Sequence, residues 1–469
     1  MEKFFKLKEH GTDVRTEVLA GVTTFFAMSY ILIVNPQILG QTGMPAQGVM
    51  LATIIGSIAG TLMMGLYANI PYAMAPGMGL NAFFTYTVVA ALGYTWQEAL
   101  AMVFICGIIS MVITLTKVRR MLIDEIPTSL KHAISAGIGV FLTYIGIKNA
   151  GLIKFSIDPG TYTKAGESIT ASSAATPSLV AFDNPAVLVA IAGILITAFF
   201  VIKNIKGGVM ISIVVTTILA IVTGVVDLGA IDWSENTLGS AVSELHQVFG
   251  AALGSEGLGH LFSDASRLPE VLMTILAFAM TDIFDNVGTL VGTGEKAGIF
   301  NVDDKHASAG LKNKMDKALF GDMVGTTIGA IAGTSNVTTY VESAAGIGAG
   351  GRTGLTAVVV AVLFAISSFF TPLVKVVPTQ ATAAVLLIVG IMMLSNLKNI
   401  KWDDMSEAVP AFFTTIFMGF AYSITEGIAC GFLIYTFTKV IKKEAKDVHA
   451  IIWVMDALFI LNFISLAIL

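Results

Sequence analysis

One stretch sets the terms for the whole chain. Residues 333–351, GTSNVTTYVESAAGIGAGG, place Thr334, Ser335, Asn336, Thr338, Thr339, Glu342 and Ser343 among apolar runs of helical length. A lipid-facing helix cannot carry so many polar groups, and non-helical backbone at membrane depth is tolerated only where it faces protein or a watery cavity. Residues 337–341, VTTYV, are β-branched and aromatic, which suits a short extended segment. Glu342 and Ser343, just before the small residues, then open a short helix with its positive end at the break. A carboxylate inside a membrane marks a functional site by default. The stretch therefore reads as a substrate site near the middle of the bilayer.

The rest of the chain supports a membrane setting. It is 55% hydrophobic and 13% charged, where a soluble domain is near a quarter charged. Apolar runs long enough to span a bilayer recur as seven segments over 17–227 and seven over 268–441, with a further run at 450–468. The fold expected is an all-α polytopic membrane protein with 14 transmembrane segments. Two of them, near 77–92 and 341–350, are short. With the N-terminus inside, all of the 27 lysines and arginines except Lys148, Lys154, Lys164, Arg267 and Lys375 fall on the inner side, a strong positive-inside bias. The start of the chain lacks the apolar core of a signal peptide, so the first helix is expected to direct insertion into the cell membrane. Cys106 and Cys430 lie in apolar runs and suggest no disulfide framework. The loops 148–183 and 228–268 read as outer caps, and His246 and His260 as solvated loop residues with no second ligand at metal spacing.

The halves repeat. Gly56-Ser-Ile-Ala-Gly60-Thr61 resembles Gly321-Asp-Met-Val-Gly325-Thr326, and the same offset lays residues 70–77 over 335–342. Phe26-Ala-Met-Ser29 matches Phe278-Ala-Met-Thr281, and Pro127 and Gly139 match Pro378 and Gly390. Seven is odd, so the second copy enters from the opposite side and the 7+7 repeat is inverted. Inverted repeats with interrupted helices at corresponding positions point to a transporter site. Pro71 and Pro76 break the third segment, leaving residues 72–75 free to be extended and Gly77 to Asn81 to open a half-helix. Two short antiparallel strands, from the third and tenth segments, then supply each other's hydrogen bonds.

Asp282 and Asp285 share a helical face in TDIFDNVGTLVG, with Thr289 one turn beyond. The expected site comprises Asp285, Glu342, Asn81, Thr289 and Ser343, with Phe83, Phe284 and Tyr340 as aromatic candidates. Carboxylates accept N–H bonds, aromatic rings stack on flat π-systems, and an amide both donates and accepts. This set suits a flat neutral heterocycle with several N–H donors, and suits an anion poorly. Burial and a helix N-terminus pull a carboxyl's titration in opposite directions, so Asp282, Asp285 and Glu342 are candidates for proton coupling, with Na⁺ as the alternative ion. The run Gly288 to Lys296 has the wrong spacing for a phosphate loop. No nucleophile or metal set accompanies the acids, so neither an enzyme nor a cofactor, metal or nucleic-acid partner is expected. An anion or other small-solute carrier on the same fold is the competing transport reading.

At these residues the sequence resembles the AzgA-like purine permeases, a branch of the nucleobase–cation symporter superfamily with the uracil-transporter fold. Four motifs in order carry the resemblance: residues 11–39, APGMGLNAFF at 75–84, TDIFDNVGTLVG at 281–292 and residues 333–354. It implies core domains at 17–116 and 268–371 and gate domains at 127–227 and 378–441, and it leaves the apolar run 450–468 outside as an extra C-terminal segment. It places the family's substrate carboxylates on Asp285 and Glu342 and its third-segment asparagine on Asn81. It further implies uptake of adenine, guanine or hypoxanthine with protons. Membrane lipid is an expected partner, as is a second copy of the chain in a homodimer.

Overall fold

The computed structural model describes residues 2–116, 126–156, 162–165, 168–171, 176–231, 233–234, 236–294, 298–300, 311 and 313–468. Among these, nine helices are long and apolar enough to cross a membrane, and four shorter apolar helices stand beside them. The first expected segment is two helices, α1 (Val14–Met28) and α2 (Ile31–Gly40). They meet at Ser29–Tyr30, where Leu32 N and Ile33 N bond back only three residues. Helix α3 (Ala46–Leu62) runs on through π-turns at Met63–Tyr67. The third segment is broken as expected. Strand β1 (Met74–Pro76) precedes the short helix α4 (Met78–Ala82), which π-turns extend over Phe83–Ala91.

Helix α5 (Trp96–Leu115) starts on a capping box of Thr95 and Glu98. Then come α6 (Thr128–Asn149), α7 (Pro185–Ile202) and α8 (Gly208–Val222). The loop 148–183, expected only as an outer cap, carries strands: β2 (Ile153–Ser156) pairs with β5 (Thr176–Leu179), and β3 (Tyr162–Ala165) with β4 (Ser168–Ala171). The fold is thus helical as expected, with two strand pairs in this loop besides the strands at the breaks. The other long loop holds α9 (Leu238–Val248), whose Glu244 caps the start of α3 by accepting from Gln47 N at 2.8 Å and Gly48 N at 3.0 Å. His260 is exposed, yet its Nδ1 sits 2.8 Å from Glu98 Oε1 and ties this loop to α5. It is more than a solvated residue.

The second copy follows as α10 (Leu268–Gly294), α11 (Lys314–Ala332), β6 (Val337–Thr339), α12 (Ser343–Gly348) and α13 (Gly354–Ser367). It ends with α14 (Thr379–Leu394), α15 (Met405–Phe420) and α16 (Ile424–Ile441). The run expected outside the repeat is α17 (Ala450–Ile468), which packs on α10 and α16. Helix α11 lies against α3 and α5, and α13 against α1 and α3. Helix α6 lies against α14 and α15, and α14 against α7. Both cysteines are free, Cys106 fully buried and Cys430 partly so.

The repeat is visible where its equivalent residues face each other. A Cβ added to Gly325 would lie 2.9 Å from Gly60 Cα. One added to Gly139 would meet Gly390 O at 2.8 Å, and one added to Gly390 would meet Gly139 O at 2.8 Å. Glycine at both positions lets α3 and α11, and α6 and α14, cross with backbones almost touching. Gly139→Ala and Gly390→Ala are each expected to destabilise the protein by ~1–3 kcal/mol through overpacking. Thermal unfolding in detergent should show a lowered midpoint for both. Gly40→Ala, where an added Cβ meets nothing within 4 Å, should melt like the unmodified protein.

Candidate functional site

The site is built on backbone that has left the helix. Strands β1 and β6 pair antiparallel in the register Met74 with Thr339, Ala75 with Thr338 and Pro76 with Val337. Both are fully buried. A two-stranded ribbon leaves an unpaired edge on each side, and the two threonines of the repeated motif cover those edges. Thr61 Oγ1 accepts from Met74 N at 2.9 Å and donates to Met74 O at 3.2 Å. Thr326 Oγ1 does the same for Val337, at 3.2 and 3.1 Å. The same hydroxyl thus clamps the first residue of each strand. Ser343 Oγ accepts from Ala73 N at 3.0 Å, and Tyr340 Oη donates to Pro76 O at 2.7 Å.

Behind β6 lies a buried polar network. Asn286 Nδ2 donates to Asp282 Oδ1 at 2.9 Å and to Asp322 Oδ2 at 2.6 Å, while its Oδ1 accepts from Thr339 N at 2.7 Å. Asn336 Nδ2 donates to Asp282 Oδ2 at 3.1 Å. All four side chains have no exposed surface. One asparagine therefore joins α10, α11 and the edge of β6. Asn336 was among the polar residues that marked the break, but Asp322 and Asn286 were not singled out from sequence. The signal for Asp322 was present, as a carboxylate inside the repeated glycine motif of an apolar helix.

In front of the strands stand Asp285 and Glu342, both partly buried and close enough for their charges to act on one another. Glu342 occupies the N-cap position of α12 without a side-chain capping bond, and Tyr30 Oη donates to its Oε1 at 2.5 Å. Asp285 has no hydrogen-bond partner among the described residues. Tyr340 lies within reach of both charges, and its ring centroid is 6.5 Å from that of Tyr30. Thr289 is one turn on from Asp285, partly buried, its carbonyl accepting from Thr293 Oγ1.

The other expected residues are placed less directly. Asn81 is fully buried; its Oδ1 accepts from Ser335 Oγ, and its Nδ2 is without a partner among the described residues. Phe83 is fully buried and packs edge-on against Phe278 at 4.6 Å. The hydroxyls of Ser343 and Tyr340 are engaged by the strands. Asp282 belongs to the network rather than to the pair in front. The side chain of Phe284 lies outside the described residues. So do Lys117, Arg119, Arg120, Lys296, Lys305 and Lys312, which helped to orient the chain.

Both expected half-helices are present, α4 from Met78 and α12 from Ser343. The first N–H groups of α12 turn back, Ser343 N to Tyr340 O and Ala344 N to Val341 O, so they are not open at the break. The first turn of α4 is pressed against α6, where a Cβ on Gly79 would lie 2.6 Å from Ile138 Cγ2. Among the described residues, no group of three or more His, Cys, Asp or Glu side chains is placed to hold a metal ion.

Paired carboxylates beside a backbone break, inside an inverted helical repeat, define a membrane transport protein. The chain belongs to the permease family, whose profile, named Xan_ur_permease, matches residues 15–430. It is 40% identical over 464 residues to the adenine permease AdeP of Escherichia coli (strain K12), covering 99% of this chain and 96% of that one. It is 37% identical over 474 residues to the guanine/hypoxanthine permease PbuO of Bacillus subtilis (strain 168), covering 99% and 100%. Among solved structures, the fold is shared with the transmembrane domain of a cyanobacterium bicarbonate transporter, BicA, at TM-score 0.60 and 16% identity. That match covers 89% of this chain and 97% of that one.

Asn286→Leu would leave Thr339 N–H and two carboxylates without their shared partner. We expect a loss of about 3 kcal/mol or more in stability, read as a lowered melting midpoint and poor recovery from membranes. Recovery and melting like the unmodified protein would show that the network does not hold the strands.

Proposed function

We propose that the protein imports purine nucleobases across the cell membrane together with protons. The observation that carries this reading is the Asp285–Glu342 pair, set beside Tyr340 where both charges meet and where Glu342 is held by Tyr30. Two acceptor groups suit the N–H donors of a purine, and the ring of Tyr340 suits its flat face. The same pair would repel an inorganic anion, which disfavours an anion cargo even though BicA shares the fold. Relatives named as adenine and as guanine/hypoxanthine permeases support a purine cargo.

In this reading the chain crosses the membrane 14 times with its N-terminus in the cytoplasm. The segments of 17–116 and 268–371 form a substrate-holding core, and those of 127–227 and 378–441 a gate. Alternating access is then a movement of core against gate around the paired strands. Contacts on the side of the 148–183 loop support a form closed to the outside. Gln37 Nε2 donates to Val377 O at 2.5 Å, and Asn149 Nδ2 donates to Tyr86 Oη at 3.0 Å. The ring of Tyr86 meets that of Tyr422 at 6.0 Å. Protons couple through the acids of the core, the partly buried Asp285 and Glu342 and the fully buried Asp282.

Proteoliposomes holding the purified protein are expected to accumulate labelled hypoxanthine, guanine or adenine under an inward proton gradient. A protonophore should abolish accumulation. Glu342→Gln should abolish it too, with an unchanged melting midpoint. Uptake that ignores the protonophore and requires Na⁺ would overturn proton coupling. Bicarbonate or sulfate transport without purine transport would overturn the cargo.

A further inference from the structure

We propose that Tyr30 is a positioning residue for substrate recognition, acting through Glu342; this rests on the purine-transport reading above. Tyr30 is 2% exposed, and its phenol oxygen donates to Glu342 Oε1 at 2.5 Å. A hydrogen bond to an ionisable partner is among the stronger and more directional contacts a side chain makes. It fixes the rotation of the carboxyl and occupies one of its two oxygens. Oε2 is then the oxygen that remains to meet an N–H of the base.

The hydroxyl itself is anchored from several directions. Tyr30 stands at the join of α1 and α2, where its carbonyl accepts from Ile33 N at 3.1 Å and Val34 N at 3.0 Å. Its ring lies against that of Tyr340, tilted by 44°, and Tyr340 is tied by its own hydroxyl to Pro76 O. The anchor of Glu342 therefore draws on the first, third and tenth segments at once. Asp285, on α10, has no comparable donor among the described residues. The two acids are thus unequal: one is aimed, and the other is free to turn. In this arrangement Glu342 sets the geometry of recognition, and Tyr30 sets the geometry of Glu342.

Tyr30→Phe keeps the ring and its packing and removes only the hydroxyl. We expect KM for the transported base to rise roughly ten- to a hundredfold, with the maximal rate within about twofold and the melting midpoint unchanged. Base binding to purified protein, measured by calorimetry, should weaken by the same factor. With Glu342→Asp already in place the carboxyl no longer reaches the phenol in the same way. There, Tyr30→Phe should add less than about twofold. An unchanged KM in Tyr30→Phe, or a loss confined to the maximal rate or to the melting midpoint, would overturn the positioning role and leave the transport reading standing. So would equal losses with and without Glu342→Asp. A parent protein that neither binds nor accumulates any purine would overturn the transport reading and this inference with it.

Discussion

The structure depends on the pairing of β1 with β6. Leaving a helix inside a membrane exposes backbone N–H and C=O groups that lipid cannot satisfy, each at a cost of several kcal/mol. The chain leaves the helix twice, and each departure satisfies the other. What the two strands do not give one another, side chains supply: Thr61 and Thr326 on the outer edges, Asn286 at Thr339, Ser343 at Ala73 and Tyr340 at Pro76. Pro76 has no N–H to satisfy, so it is tolerated at the end of a strand at this depth. The glycines that let α3 and α11 meet bring the two clamping threonines into range. Packing, hydrogen bonding and the breaks themselves are one arrangement.

That arrangement also sorts the acids. Asp282 and Asp322 are fully buried behind β6 and share the amide of Asn286. Their carboxyl oxygens are occupied by the scaffold. Asp285 and Glu342 lie outside that network and are only partly buried. A carboxylate inside a membrane is often read as functional by default. Here the hydrogen-bond partners divide four such groups into two held by the Asn286 network and two outside it, of which Glu342 is held by Tyr30.

Much of this was legible in the sequence because the relevant signals are local. Polar residues within apolar runs marked the breaks. Proline at 71 and 76 and β-branching at 337–339 marked the strands, which the structure draws shorter than the residues allowed. The repeat was readable from glycine pairs, and those pairs turned out to be the places where the copies touch. What was not legible depends on distance in space. Nothing in the neighbourhood of Tyr30 announces that it meets a residue more than three hundred positions away. The internal alignment did hold a hint, since Phe-Ala-Met-Ser29 and Phe-Ala-Met-Thr281 are followed by Tyr30 in one copy and Asp282 in the other. The strands of the 148–183 loop and the bond between His260 and Glu98 were likewise hidden, because surface loops carry little periodicity.

The mutual satisfaction of the two breaks bears on how such a chain arose. Each copy contributes one strand and one clamping threonine, and neither strand has a partner within its own copy. A half-length ancestor inserted in a single direction would hold an unpaired strand in lipid. Two such halves become stable together only when one enters the bilayer upside down relative to the other. The pairing therefore makes the two copies interdependent, since each closes a strand that the other leaves open.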